Sequence, residues 1–235
     1  MRENMLPVIE KFTGTEYSTA GFVITAILLL LITGFAGYIT GKSAAESFGG
    51  NKKKTAVVFT VTALITMAAL LCFFGASAKA ARGGVMCIIM LYAAFEDIKT
   101  RECADFLSVT LGITGIIGKE PKELFLSLIA FAGIILILLI SSAVTKNGIG
   151  GGDVKFAGAV SLVLGFFNTA AALTAGLLIA VIVNKLKKEK SFPLLPYLAP
   201  AFMTAYFMTC FVIYRLGAYS RNLRKEVTKA GKWYF

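Results

Sequence analysis

Histidine is absent from the 235-residue chain, and only 16% of its residues are charged. The lack of histidine excludes imidazole-based acid–base catalysis and histidine-ligated metal sites. The four cysteines are Cys72, Cys87, Cys103 and Cys210, and no Cys-x-x-Cys pair with zinc-site spacing occurs. We therefore expect neither a metal ion nor another cofactor.

Charge is scarce because apolar residues make up 57% of the chain, and the mean hydropathy is +0.77. A soluble domain of this length carries far more charge. Apolar runs of about 20 residues recur, which is the length that an α-helix needs to cross a bilayer. The alternating segments of about ten residues that are typical of membrane barrels do not occur. The sequence therefore predicts an all-α, polytopic transmembrane helical bundle.

About eight helices are predicted from the apolar segments. Segments 105–118 and 153–167 are short for a full crossing, and a polar linker at 41–56 and a break at Asn168–Thr169 separate neighbouring segments. Three regions follow: 1–80 with two additional transmembrane helices, a six-helix core at 81–217, and a basic tail at 218–235. The predicted segments are 20–41, 55–77, 83–97, 105–118, 123–144, 153–167, 169–186 and 197–217.

The net charge of +11 predicts contact with membrane lipid. Basic residues of membrane proteins concentrate in cytoplasmic loops and meet anionic head groups. This bias predicts a multi-pass protein of the cell inner or plasma membrane, although eight crossings would leave the basic tail outside. Nucleic acid is not an expected partner, because the basic residues are scattered over short loops. The loops predicted to be cytoplasmic are 42–54, 98–104, 145–152 and 187–196.

Two aspartates lie at the ends of apolar segments. Asp97 ends "GGVMCIIMLYAAFED" and Asp153 opens "DVKFAGAVSLVLGFF". Alternating crossings place both at one membrane level, near the cytoplasmic boundary. Two facing carboxyl groups in a low-dielectric site share a proton, which supplies a base for water and an acid for a leaving group. This is the chemistry of an aspartic peptidase, and from the position of the two residues alone the alternative of two helix-end aspartates that interact with loop lysines stays open.

The glycines before Asp153 weaken a helix and permit close approach of another backbone. They predict irregular backbone beside a wet pocket, where an extended substrate would lie against the main chain. The alternative is an ordinary flexible loop. The glycines concerned are Gly148, Gly150, Gly151 and Gly152.

The stretch "GIGGGDVKFAGAVSLVLG" resembles the Gly-x-Gly-Asp-x-Lys signature of the type IV prepilin peptidases. These are bacterial membrane aspartic peptidases that remove prepilin leader sequences. The signature positions are occupied by Gly150, Gly152, Asp153 and Lys155, and Gly158 and Gly165 follow.

Two further stretches are similar to motifs of that family. In "DIKTRECADFL", Asp97, Lys99 and Arg101 match an aspartate followed by basic residues, whereas 103–105 reads Cys-Ala-Asp in place of the usual Ile-Pro-Asn. The stretch "FPLLPYLAPAF" at 192–202 is similar to the proline-rich start of a late helix.

The resemblance covers about 83–217 and implies an aspartic endopeptidase that cleaves the short basic leader of prepilins or pseudopilins at the cytoplasmic membrane face. It implies leader cleavage without N-methylation, because the family's Cys-x-x-Cys domain is missing, and the size is similar to that of the short enzymes of the Tad (Flp pilus) systems or the archaeal preflagellin peptidases. The oligomeric state stays open. The predicted catalytic residues are Asp97 and Asp153, and the predicted substrate-binding residues are Gly150, Gly151, Gly152 and Lys155.

Residues beside the two aspartates have weaker predictions. Glu96 points about 100° away from Asp97 on a helix and is a second-rank candidate. Lys155 lies about 200° around from Asp153, so a lysine that reaches towards lipid is the alternative to substrate binding. Asp105 is a candidate helix N-cap. Helix ends predict Asp153 as the more readily ionised aspartate, since a helix N-terminus favours negative charge.

Three other functions fit part of the pattern. A small ion-coupled transporter also uses paired membrane acids and broken helices, with its charges nearer the midplane. In a non-catalytic scaffold the glycines would serve only packing. An intramembrane peptidase of the presenilin or signal-peptide-peptidase kind is expected to carry tyrosine-aspartate and Pro-Ala-Leu motifs, whereas this chain has "FED" and "LAP".

Overall fold

A computed structural model describes residues 19–144, 150–187 and 193–209, which form eight helices and no strand. The predicted all-α bundle is confirmed. Gly148 and the tail at 218–235 lie outside the described residues. The helices are α1 (Thr19–Phe48), α2 (Lys52–Phe74), α3 (Ala78–Thr100), α4 (Asp105–Ile116), α5 (Pro121–Val144), α6 (Gly151–Leu164), α7 (Phe166–Lys187) and α8 (195–209).

Five of these helices, α1, α2, α3, α5 and α7, are long and apolar enough to cross a membrane. Their outer faces carry large exposed apolar side chains, such as Leu31, Phe35 and Leu126. Helices α4 and α6 have 12 and 14 residues and therefore reach only about 18 and 21 Å, less than a hydrocarbon core of ~30 Å. The polytopic architecture is confirmed, and the two segments predicted to be short are short.

The predicted linker at 41–56 is wrong, because only residues 49–51 separate α1 from α2. Close packing extends α1 through this polar stretch: a Cβ atom at Gly41 would lie 2.8 Å from the Cβ atom of Phe59 on α2. Asn51 then starts α2, since its side chain accepts the backbone N–H of the third helical residue at 3.2 Å. Packing and a cap therefore outweigh the polarity of the stretch.

The predicted break at Asn168–Thr169 is also misplaced, because the chain turns at Gly165. This glycine has a φ of 78°, and its N–H donates to the Ser161 carbonyl at 2.8 Å. Such a left-handed residue ends a helix at low cost only when it is glycine. Asn168 instead lies inside α7, where its side-chain amide donates to the Leu164 carbonyl, and Thr169 is fully buried.

Helix α6 lies at the centre of the bundle and packs against α4, α5 and α7. Its side chains Phe156 and Val160 are fully buried in one apolar core. Helices α1 and α2 pack along each other and both contact α3. The two ends of α6 are consequently the points at which several helix ends meet.

Two cationic side chains bind carbonyl groups at the C-terminal ends of α6 and α4. The Lys119 ammonium group donates to the Leu162 carbonyl and to the Ser127 hydroxyl, both at 2.5 Å. The Arg82 guanidinium group donates to the Ile117 carbonyl at 2.7 Å. Burial, together with the nearby Arg82, lowers the pKa of Lys119. These contacts satisfy carbonyls that a helix C-terminus leaves unpaired.

Two glycines of α4 allow a matched test of its packing on α6. A Cβ atom at Gly115 would lie 2.8 Å from Leu162 Cβ and 2.9 Å from its carbonyl carbon, whereas one at Gly112 would meet Leu162 at an ordinary 3.5 Å. We expect Gly115→Ala to lower the unfolding temperature in detergent, since overpacking costs about 1–3 kcal/mol. Gly112→Ala should be neutral or stabilising, because alanine favours a helix. Equal thermal shifts would show that this contact does not limit the packing.

Candidate active site

The last turn of α3 and the first turn of α8 are joined by Asp97. This side chain is 6% exposed, and its Oδ2 accepts the backbone N–H of Leu195 at 2.7 Å. Leu195 is the first residue of α8, where backbone N–H groups have no partner within the helix. The hydrogen bond therefore pairs a buried carboxylate with an otherwise unpaired donor.

Asp153 lies in the first turn of α6, and its side chain is half-buried. Gly150, the N-cap of α6, leaves room for it, because a Cβ atom at Gly150 would lie 3.1 Å from Asp153 Oδ2. Asp153 follows Gly152, which packs on Cys103 in the loop after α3, the helix that carries Asp97. The structure thus places the two predicted catalytic residues at the same end of the bundle.

The loop at 101–104 lies against the start of α6. Arg101 adopts the left-handed conformation with a φ of 59°, and its N–H donates to the Asp97 carbonyl. The chain then turns so that a Cβ atom at Gly152 would lie 3.1 Å from the Cys103 carbonyl oxygen. The absence of a side chain at Gly152 is what allows this approach.

The glycines before Asp153 differ from the irregular backbone that was predicted. Gly151 and Gly152 lie inside the first turn of α6, and only Gly150 precedes the helix. Nothing lies within 4 Å of a Cβ atom at Gly151, whereas Gly152 packs on Cys103. Of the two, only Gly151 faces open space, and a substrate-binding role for these glycines stays a prediction.

Lys155 is paired with α4. Its ammonium group contacts both carboxylate oxygens of Asp105 at 2.8 Å, and the two side chains are exposed. The predicted N-cap at Asp105 is wrong, because Ala104 occupies the cap position and Asp105 is the first helical residue. An exposed ion pair adds at most about 1 kcal/mol of stability, and the predicted substrate contact of Lys155 stays a prediction.

The helix-end argument does not separate the two aspartates. Asp153 lies at the N-terminus of its own helix, as expected. Asp97 lies near the C-terminus of α3, but its carboxylate receives a hydrogen bond from the N-terminus of α8. Helix N-termini favour negative charge in both places. The sequence argument considered only each aspartate's own helix and therefore missed Leu195.

Glu96 is the neighbour that sequence reasoning underrated. Its side chain is 7% exposed, and its Oε2 accepts the backbone N–H of Ala104 at 3.2 Å. A glutamate in the last turn of an apolar helix is costly to bury and needs a partner. That cost was the one signal in the sequence that could have identified this contact.

An apolar groove of about 420 Å³ lies between α7 and α8. It begins at Pro196, the residue after the Leu195 amide that binds Asp97. Small side chains from both helices form much of its lining, which permits close packing of another helix. These side chains are Ala171, Ala172, Ala175, Ala201 and Ala205.

In the described part of the chain, no group of three or more His, Cys, Asp or Glu side chains is arranged to hold a metal ion. The candidate site therefore consists of the carboxyl groups of Asp97 and Asp153, with the backbone N–H of Leu195 bound to Asp97.

A family comparison matches residues 84–185 to the type IV leader peptidase family. The match covers 102 of the 235 residues, and it shows that this segment is similar to that family. The leader peptidase segment runs from α3 to α7 and contains both aspartates and the glycines before Asp153. Neither the curated proteins nor the solved structures gave a match. Helices α1 and α2 and the Leu195 amide lie outside the matched residues.

Cys103 reports on the electrostatics of this end of the leader peptidase segment. Burial raises the pKa of its thiol to about 12, and the carboxylates of Glu96 and Asp153 add to the effect. An ordinary thiol has a pKa near 8.5, so at pH 8 the thiolate fraction of Cys103 falls from about one quarter to roughly one in ten thousand. We expect Cys103 to resist alkylation until the pH approaches 12.

Peptide mapping by mass spectrometry measures this rate at Cys103 separately from the other cysteines. The denatured protein, in which the thiol regains its ordinary pKa, is the reference. Equal alkylation rates in native and denatured protein at pH 8 would contradict the half-buried, carboxylate-flanked position of Cys103.

Proposed function

We propose that this protein is an aspartic endopeptidase that removes the short basic leader from prepilin or pseudopilin precursors at the cytoplasmic membrane face. The observation that carries the proposal is that Asp97 and Asp153 lie at the same end of the bundle, within the leader peptidase segment. The family match supports a membrane peptidase, and the two carboxyl groups support the aspartic type.

The two carboxyl groups supply the proton transfers that peptide hydrolysis needs. The ionised aspartate takes a proton from water, whose oxygen attacks the scissile carbonyl carbon. The protonated aspartate donates its proton to the amide nitrogen as the C–N bond breaks. One shared proton is the favoured resting state, because two neighbouring carboxylates in a low-dielectric site repel each other. This reaction requires neither a metal nor another cofactor.

The membrane level and charge of the site fit a leader with basic residues and an apolar helix. Asp97 and Asp153 lie in terminal turns of α3 and α6, so a cut site would reach them at the bilayer boundary. The ion-coupled transporter expects its paired acids nearer the midplane. We place the cytoplasmic side at this end of the bundle because of the lysine-rich loops. We also expect no N-methylation of the cleaved product.

The groove between α7 and α8 is the place that we propose for the apolar helix of the substrate. It is apolar, it belongs partly to a membrane-spanning helix, and it ends beside the residue that binds Asp97. Its alanines permit another helix to approach closely. A substrate helix in this groove would bring the residues before it to the aspartates.

Replacement of either aspartate tests the proposed activity. We expect Asp97→Asn and Asp153→Asn each to reduce leader cleavage by at least about 10²-fold, because general acid–base catalysis contributes this much or more. The measurement is cleavage of a co-expressed prepilin by gel shift and mass spectrometry. Glu102→Gln is the matched control, since Glu102 is exposed in the same loop region. Normal cleavage by either aspartate variant would exclude the carboxyl pair.

A bulky side chain in the groove tests the substrate position. Ala175 is an exposed residue of the groove, so Ala175→Phe should fill it without disturbing the core. We expect cleavage to decrease by about 10-fold or more, mainly through a higher KM, because the phenylalanine side chain would exclude the substrate helix from the groove. Ala132→Phe, on an exposed face of α5 outside the groove, is the control. Equal effects of the two substitutions would contradict the groove as the binding place.

A further inference from the structure

Glu96 is buried beside Asp97 but is directed to a different partner. Its Oε2 accepts the backbone N–H of Ala104 at 3.2 Å, whereas Asp97 binds the start of α8. The hydrogen bond of Glu96 therefore spans from the last turn of α3 to the residue before α4. A buried carboxylate is retained at its cost only where it has such a partner.

The backbone carbonyl of Glu96 also contacts the start of the loop. The Thr100 hydroxyl donates to the Glu96 carbonyl at 3.0 Å, and it accepts the backbone N–H of Glu102 at 3.2 Å. Between these contacts Arg101 adopts a left-handed conformation, which is uncommon for a residue other than glycine. The backbone and the side chain of Glu96 thus fix the loop at both of its ends.

The loop at 101–104 connects α3 to α4 in the chain, and in space it lies between the end of α3 and the start of α6. The backbone of Cys103 lies against Gly152, where no side chain intervenes, and Asp153 is the next residue. A displacement of the loop would therefore move Asp153 relative to Asp97. Misplacement of a catalytic group by about 1 Å costs about 10²-fold in rate.

We propose that Glu96 is a positioning residue, whose carboxylate anchors the loop at 101–104 against Gly152 and so holds Asp153 beside Asp97. The consequence for cleavage rests on the proposed peptidase function, whereas the anchoring of the loop does not. The rival role is a third carboxyl group that exchanges protons with the aspartate pair.

Glutamine separates the two roles. The amide oxygen of Glu96→Gln still accepts the Ala104 N–H but cannot ionise, whereas Glu96→Ala loses both properties. We expect Glu96→Gln to cleave prepilin within about threefold of the wild type, with an unchanged pH profile. Glu96→Ala should lose about 10²-fold, mainly in kcat. A comparable loss in Glu96→Gln, or a shifted pH profile, would overturn the positioning role.

Alkylation of Cys103 gives a readout that does not depend on activity. Both substitutions remove the Glu96 charge next to the thiol, so any difference between them reports the hydrogen bond to Ala104. We expect Cys103 to react about 10-fold faster in Glu96→Ala than in Glu96→Gln at the same pH, because the loop detaches. Equal rates would overturn the anchor even if the peptidase function is correct, and normal cleavage by Asp97→Asn would overturn only the peptidase function.

A second variant approaches the same contact from α6, in case Glu96→Ala does not fold. A Cβ atom at Gly152 would lie 3.1 Å from the Cys103 carbonyl oxygen and 3.3 Å from its Cβ atom. We expect Gly152→Ala to reproduce the loss of kcat with Glu96 intact. Gly112→Ala, where the new methyl group has ordinary contacts, is the control. Wild-type kcat in Gly152→Ala would contradict a dependence on this loop contact.

Discussion

The hydrogen bond from the Leu195 N–H to Asp97 Oδ2 gives a partner both to a buried carboxylate and to a helix N-terminal amide. A carboxylate at the end of an apolar helix is costly unless it is hydrogen-bonded, and the first N–H groups of a helix have no internal partner. The 2.7 Å bond satisfies both groups and joins α3 to α8 across 98 positions of the chain. Because Leu195 follows the matched residues 84–185, the proposed catalytic aspartate is held from outside the leader peptidase segment.

The rest of the site depends on close backbone approach, which glycine permits. Cys103 reaches the start of α6 at Gly152, and the other end of α6 is reached through Gly115 at Leu162. Helices α4 and α6 are too short to reach both surfaces of a bilayer, so their ends meet other helix ends inside the bundle. Such a meeting of helix ends places carboxyl groups, the backbone N–H groups that bind them and an open edge at Gly151 at one end of the bundle, which is what a boundary peptidase would need.

Apolar run length was sufficient to predict eight helices and the two short ones, and run ends were sufficient to predict that Asp97 and Asp153 lie at the same end of the bundle, whereas their action as a pair stays a prediction. The rest depended on tertiary contacts that leave no local pattern. The stretch at 41–56 reads as polar, yet Gly41 packs on Phe59 and keeps it helical. The proximity of Lys155 to Asp105 follows from how α4 lies on α6. The partner of Glu96 is a backbone amide in a loop, and neither its identity nor its geometry is encoded in residue type.

Asp97 and Asp153 must face each other across one site if the pair acts together. The direct measurement introduces cysteines at both positions in a protein whose four native cysteines are replaced by serine, and applies a short bis-methanethiosulfonate cross-linker. Cysteines in place of Asp105 and Lys155, which are in contact at 2.8 Å, form the reference pair. Intramolecular cross-linking of positions 97 and 153 at a rate similar to the reference pair is the predicted result. Cross-linking of the reference pair alone would contradict the shared site.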